Sequence, residues 1–294
     1  MTDASYAIAE TAAAREPTGR RMSALAAIAI FGALVALAAA VLVPILATAL
    51  GGFKELGELR SNLLGLPHEW VWRNYWDILA SVRYWRVLGN SLIIALLTVA
   101  LTLALSSMAA FAFAHLKFFG GEFLLSYLLL GLLFPAATAI LPLFIKVRDL
   151  GLLDSYWGVV LPQVAFSLAM AVLLLRNAFR QLPSELLDAA MMDGCGYFRF
   201  FFFVTLPLSG PILSAVAVIS FVGSWNGYLL PLIMLNSDWR YPWTLGLMAY
   251  QGQYSTSWQL VLAFITLTIL PAIVMFLVAQ RYIVAGLTAG AVKA

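Results

Sequence analysis

The chain has 294 residues, 63% of them hydrophobic and 11% charged, with a formal net charge of +3. A soluble domain carries roughly 25% charged residues, so this composition excludes an ordinary soluble fold and fits an integral membrane protein. The 17 basic residues are scattered, which excludes a nucleic-acid surface.

Residues 1–22 are alanine-rich and polar and end in Arg20-Arg21-Met22, as expected of a flexible cytoplasmic tail. The apolar run that follows, residues 24–50, is too long for a signal-peptide core of roughly 7–15 residues and predicts a retained span. Residues 51–87 form a charged, aromatic loop with Glu69-Trp70-Val71-Trp72-Arg73-Asn74-Tyr75-Trp76, and Trp and Tyr favour the headgroup level.

Further apolar runs cover 88–113, 123–145, 156–175, 206–235 and 259–283. Each is long enough to cross a bilayer at about 20 residues per span. They are continuous rather than alternating, so helices are expected. The predicted fold is an all-α integral membrane protein with six transmembrane helices. Residues 23–87 hold the first span and its loop, 88–284 a five-span core, and 285–294 a C-terminal tail.

Charged residues stay near the span ends, where Lys146, Arg176 and Arg281 can snorkel. Intramembrane carboxylates mark proton or ion relays. Their absence argues against a proton-coupled carrier. Among the prolines, Pro135 and Pro231 are the better candidates for shaping a pathway. Gly223 and Gly227 have GxxxG spacing, which permits close helix contact within the chain or with another subunit.

Residues 181–205 interrupt the apolar runs between the fourth and fifth spans. Pro183, Glu185 and Asp188 suit the first turns of a helix. Leu186, Leu187, Ala190 and Met191 can form an apolar stripe. Gly194 can end the helix in a left-handed conformation. Cys195 to Val204 gives a second short, aromatic segment. Such a helix–glycine–helix element fits docking into a partner's groove. An amphipathic helix lying on lipid fits the same pattern, although membrane-surface helices are usually rich in Lys and Arg.

The loop 236–258 lies on the opposite side and holds Trp239, Tyr241, Trp243, Tyr250, Tyr254 and Trp258. Tyr250, Gln251, Gly252, Gln253 and Tyr254 combine rings, amides and a glycine turn, which suits carbohydrate. An interfacial aromatic belt accounts for the same rings. Trp225, Asn226 and Tyr228 are candidates for lining a path, and Asn226 equally suits a helix–helix hydrogen bond. Nine basic residues fall on one side and eight on the other, so charge does not set the orientation.

Catalytic and metal signatures are missing. Cys195 is the lone cysteine, and His68 and His115 occur without an H-E-x-x-H pattern. None of the four lysines completes a P-loop, so any ATP must bind elsewhere. Asp149, Asp154, Asp188 and Asp193 are split between the two sides, which disfavours a membrane transferase.

The run Leu182-Pro183-Ser184-Glu185-Leu186-Leu187-Asp188-Ala189-Ala190-Met191-Met192-Asp193-Gly194, with Leu206-Pro207-Leu208 and Pro211, resembles the EAA loop of ATP-binding-cassette importer permeases. Asn90-Ser91, Ser224-Trp225-Asn226 and the segment from Gln280 to Lys293 resemble the carbohydrate-uptake branch, in particular the smaller six-span permease of maltose-type systems. The resemblance implies a non-catalytic subunit in the bacterial inner membrane with both termini cytoplasmic. It implies a paralogous second permease, a cytoplasmic ATPase dimer carrying ATP and Mg, and an extracytoplasmic solute-binding protein. A carbohydrate would then enter by alternating access, in place of a stand-alone secondary transporter or channel. Residues 181–205 would be the coupling loop, with Glu185, Asp188, Ala189, Ala190, Asp193 and Gly194 at the ATPase. Residues 250–254 would meet the binding protein. The family's glutamate before Ala-Ala is Asp188 here, so Glu185 one turn earlier can share its role.

Overall fold

The computed structural model describes residues 24–252 and 255–289. The expected N-terminal tail 1–22, the last residues 290–294, and Gln253 and Tyr254 lie outside the described residues.

Helix α1, Ala24–Gly51, is apolar all round and exposed along residues 28–46, the pattern of a helix meant for lipid. Two short helices, α2 (Leu56–Ser61) and α3 (Arg73–Leu79), follow. In the connection between α1 and α2, Lys54 is wholly buried. Its Nζ donates to the carbonyl oxygens of Asn62 at 2.5 Å and Gly65 at 2.7 Å, beyond the C-terminal end of α2. A cation there completes the unpaired carbonyls and suits the negative end of the helix dipole.

Helix α4, Val82–His115, is the longest element, with 34 residues. At 1.5 Å per residue it spans about 51 Å, well beyond a hydrocarbon core of about 30 Å. It packs along α7, Tyr156–Phe179. The two helices run parallel. Near their starts Tyr156 Oη donates to Asn90 Oδ1 at 2.8 Å, and near their ends Arg176 Nε donates to the Phe113 carbonyl at 3.3 Å. This pair defines two ends of the molecule. One carries the segments before α4 and α7, and the other carries those after.

The expected third span is not one helix. Helix α5, Gly121–Leu130, tightens into a 3-10 turn at Gly131–Leu133, and helix α6, Ile140–Asp149, resumes only after a gap. Pro135 explains the break. Phe134 before it is extended, with φ −86° and ψ 118°, because the proline ring disfavours helical geometry in its predecessor.

The expected fifth span also differs. Helix α8, Ser184–Met192, is followed by α9, Tyr197–Leu208, which contains a π-helical stretch at Phe201–Thr205. Helix α10, Gly210–Trp225, leaves α9 at 78°. Its chain stops at Trp225 and restarts as α11, Leu229–Met234, with Pro231 in the first turn. Gly227 therefore lies outside α10, and Gly223 faces open space, so the GxxxG spacing does not form one helical contact face. A short α12, Trp243–Gly246, precedes α13, Trp258–Ala289, which takes in the start of the expected C-terminal tail.

Among the described residues, four helices are long and apolar enough to cross a membrane: α1, α4, α7 and α13. The bent pair α9–α10 makes a fifth if it is one span. The remaining expected span is the broken α5–α6 segment. The largest core cluster joins Phe111 of α4, Leu125 of α5, Leu175 and Phe179 of α7, and Phe200 and Phe201 of α9. It underlies α8.

Candidate coupling element and the loop at the opposite end

Helix α8 ends where its sequence predicts. Gly194 has φ +74°, a left-handed conformation that costs a side-chain-bearing residue roughly 1–2 kcal/mol. Its N–H donates to the Met191 carbonyl at 3.0 Å, and the Cys195 N–H reaches back to Ala190 at 2.8 Å. This paired closure is the Schellman stop, and it satisfies two otherwise unpaired carbonyls. Pro183 sits just outside the helix as its N-cap, and the Leu186 N–H donates to its carbonyl at 3.2 Å.

The helix has two faces. Glu185, Asp188, Ala189 and Met192, spaced i, i+3, i+4 and i+7, are exposed. Leu187, Ala190 and Cys195 pack on the core cluster below. The predicted stripe is thus divided. Leu187 and Ala190 anchor the helix, whereas Leu186 is exposed and Met191 is half-buried. Ala190, expected at a partner contact, is turned inward, and Ala189 is the small residue of the outer face. Asp193 and Gly194 are exposed beside it. Tyr197 and Phe198 continue this exposed surface, while Phe200 and Phe201 are buried.

At the other end, residues 236–252 are held by side chains distant in sequence. Asp154, with φ +53°, is the one non-glycine residue with positive φ among the described residues. Its Oδ1 accepts from the backbone N–H groups of Asn236 at 3.0 Å and Ser237 at 2.9 Å. Its Oδ2 accepts from Ser237 Oγ at 2.5 Å and Arg240 Nη1 at 2.8 Å. Arg240 also donates to the Asp154 carbonyl. The Ser237 contacts, with Asn236 and the Arg240 charge, hold the Asp154 carboxyl down at about 2.

Asn90 and Ser91 secure the same loop from α4. Asn90 Nδ2 donates to the carbonyls of Trp239 at 2.9 Å and Tyr241 at 3.0 Å, and Trp243 N–H donates to Ser91 Oγ at 2.8 Å. Sequence reasoning marked Asn90-Ser91 only through resemblance. Their capacity to pair with backbone about 150 residues away has no local signal. The Asp154 clasp was missed for the same reason.

The path candidates separate. The Trp225 ring is 3% exposed and stacks on Phe221 with centroids 5.4 Å apart, so it is core rather than lining. Its carbonyl accepts from Trp243 Nε1 at 2.7 Å, which ties α10 to the loop. Asn226 and Tyr228 are exposed, and Asn226 Nδ2 donates to the Val222 carbonyl one turn earlier at 3.0 Å. Beside them, inside the bundle, Thr98 and Ser224 both donate to Gln163 Oε1, at 3.0 and 2.6 Å. This polar knot joins α4, α7 and α10. Gln163, in the fourth apolar run, was not singled out from sequence.

Of the loop candidates, Tyr250 is half-buried against Phe264, with ring centroids 5.5 Å apart, and burial raises its phenol pKa. It anchors the loop. Gln251 and Gly252 are exposed, and Gly252 N–H donates to the Ser255 carbonyl at 2.8 Å.

Residues 102–288, which include α8, α9 and this loop, match the family model described as binding-protein-dependent transport system inner membrane component. The chain belongs to that family. Among relatives of this transport component is the diacetylchitobiose uptake system permease protein NgcG of Streptomyces coelicolor. It is 33% identical over 252 residues, covering 85% of this chain and 83% of the relative. The arabinooligosaccharides transport system permease protein AraQ of Halalkalibacterium halodurans is 36% identical over 254 residues, covering 85% and 90%. The fold of the transport component is also that of a chain from a bacterial ABC transporter involved in alginate import, with TM-score 0.79 and 22% identity over 91% of this chain and 100% of that one.

Proposed function

We propose that this chain is the permease subunit of an ATP-driven importer that moves an oligosaccharide or related carbohydrate into the cytoplasm. The relatives named for diacetylchitobiose and arabinooligosaccharides support the substrate class. A second solved structure, with TM-score 0.62 and 12% identity over 86% of this chain and 92% of that one, is an alginate transporter in complex with an alginate pentasaccharide-bound periplasmic protein. It supports delivery by a solute-binding protein.

The observation that carries the reading is the two-faced α8. Its inner face is packed on the core through Leu187 and Ala190, while Glu185, Asp188 and Ala189 face outward. A helix fixed below and free above is suited to receive a push from a partner. The two carboxylates offer charge to a basic cleft, and Ala189 lets that cleft approach the backbone. In this reading α8 is cytoplasmic, both termini are cytoplasmic, and a separate ATPase dimer holds ATP and Mg. A paralogous permease completes the pathway, and alternating access follows from movement of α8 relative to α10. This subunit itself carries out no covalent chemistry.

The test is reconstitution in proteoliposomes with a P-loop ATPase, a paralogous permease and a solute-binding protein from the same organism. Uptake of labelled oligosaccharide is expected only with all components and ATP. Uptake by this chain alone, without nucleotide, would overturn the proposal.

A further inference from the structure

The end of the molecule that carries α8 also holds a cavity of about 550 Å³, separate from the outward face of that helix. It lies where α4 ends, α5 begins and α7 ends. Phe113, His115, Lys117, Glu122, Arg176 and Arg180 line it. Three cations therefore meet one carboxylate.

The cations are not equivalent. Arg176 is largely buried and already committed. It lies 3.2 Å from Glu122 and donates to the Phe113 carbonyl. Lys117 and Arg180 make no ion pair among the described residues and leave the cavity with two uncompensated positive charges. His115 Nε2 is sealed from solvent at the wall and has no hydrogen-bond partner. Sealed in this way, that nitrogen is out of a ligand's reach, and the exposed Lys117 and Arg180 are the groups a ligand in the cavity would meet.

The surroundings define the ligand. Phe118 and Phe119 are exposed at the rim, and Phe119 is fully so. An apolar rim around a cationic hollow, at the ends of two spanning helices, matches a molecule with an anionic head and a hydrocarbon body. Arg can grip phosphate oxygens in bidentate fashion, and basic pockets between membrane helices on the cytoplasmic side suit anionic headgroups. We propose that this cavity binds the phosphate of an anionic glycerophospholipid of the cytoplasmic leaflet, held by Lys117 and Arg180. The leaflet assignment rests on the orientation proposed above.

The site has a route to coupling. Phe113 and Leu125, which line the cavity, belong to the same packed cluster as Leu187 and Ala190 of α8. A headgroup that ties α5 to α4 and α7 firms the bed on which α8 rests.

The experiment is native mass spectrometry of the full transporter complex, purified in detergent with equal phosphatidylglycerol and phosphatidylethanolamine. Wild type is expected to retain phosphatidylglycerol preferentially. K117Q/R180Q is expected to lose that retention by at least about fivefold, the effect of removing a single surface-type charge contact. K117R/R180K keeps both charges and should retain the lipid, which separates loss of the site from loss of the fold. Equal retention in wild type and K117Q/R180Q overturns the proposal, as it would if a partner subunit covers the cavity. A further arm adds millimolar inorganic phosphate. Displacement of the lipid by phosphate alone would assign the site to free phosphate and overturn the lipid. Retention is read on the permease chain released from the complex in the gas phase, or on the chain as purified where no ATPase is recovered. Failure to recover an ATPase would therefore strike the proposed function and leave this result readable.

Discussion

Arg240 Nη1 lies 2.8 Å from Oδ2 of Asp154, a residue 86 positions earlier in the chain. The contact closes a clasp between the turn before α7 and the loop that follows α11. Asp154 can hold it only in the left-handed backbone conformation, which Asp and Asn tolerate better than most residues. The clasp makes Asp154→Asn and Asp154→Ala separable. The first keeps the backbone and some hydrogen bonding. The second loses both and should loosen the loop by a further ~1–3 kcal/mol. Hydrogen exchange at residues 236–243 reads the difference. Equal protection in the two variants would remove the clasp from consideration.

The same carboxyl predicts a pH limit. Its folded value of about 2 lies below its ordinary 3.8. The group is depressed on folding, so its stabilisation is fully present above about 3.8 and is lost as pH falls through about 2. Loop protection should fall progressively across that window in wild type. In Asp154→Asn it should show no such titration.

Gly194 should discriminate sharply among substitutes. Open space surrounds it, so the cost of a side chain is conformational and not steric. Asn is expected to be nearly tolerated, and Ala to cost roughly 1–2 kcal/mol. Pro fixes φ near −65° and removes the N–H that bonds Met191, so it should abolish uptake while the protein still reaches the membrane. Uptake at wild-type rate in Gly194→Pro would sink the coupling role of the stop.

Ala189 and Ala190 are neighbours with opposite fates. Ala189→Trp adds bulk to the outer face, and a normal melting temperature with loss of ATPase co-purification is expected. Ala190→Trp forces bulk into the packed cluster and should cost about 1–3 kcal/mol of stability. Thermal unfolding in detergent, beside pull-down of the ATPase, distinguishes them. The reverse pattern would mean that the helix is rotated in the assembled transporter.

Gln163 offers a test inside the bundle. In Gln163→Leu the hydroxyls of Thr98 and Ser224 lose their acceptor but can turn to their own helix carbonyls. The expected loss is about 1 kcal/mol. Gln163→Glu brings a carboxylate to the same depth and should cost more, up to about 3 kcal/mol. A Leu variant as stable as wild type would show that the knot is not what positions α10.

The helices that the sequence makes most legible are those whose apolar run is uninterrupted. Residues 24–50 and 156–175 foretell Ala24–Gly51 and Tyr156–Phe179 closely. The runs 123–145 and 206–235 are equally apolar, but hydropathy counts composition and is blind to Pro135 acting on Phe134, or to the 78° turn at Ser209. The stop at Gly194 is legible because a glycine after a periodic helix has one common geometry. Which of two adjacent alanines faces outward is not, since that depends on the core beneath α8. The clasp at Asp154 escapes for a different reason: its donors lie more than eighty residues away.

Lys54 changes the electrical character of its end of the molecule. Eight basic residues lie at that end by sequence, yet Lys54 is wholly enclosed by main-chain oxygens. Arg73, Arg83, Arg86, Arg148 and Arg240 face Asp77, Asp238, Asp149 or Asp154. Arg60 and Lys146 form no ion pair among the described residues. Glu55, Glu58 and Glu69 stand at the same end, so seven acidic residues face the eight basic ones and little net positive field reaches into solution. A protein arriving there is drawn by fit and by exposed rings such as Trp72, Trp76 and Trp239, with little long-range steering. Its association rate should therefore vary only weakly with ionic strength.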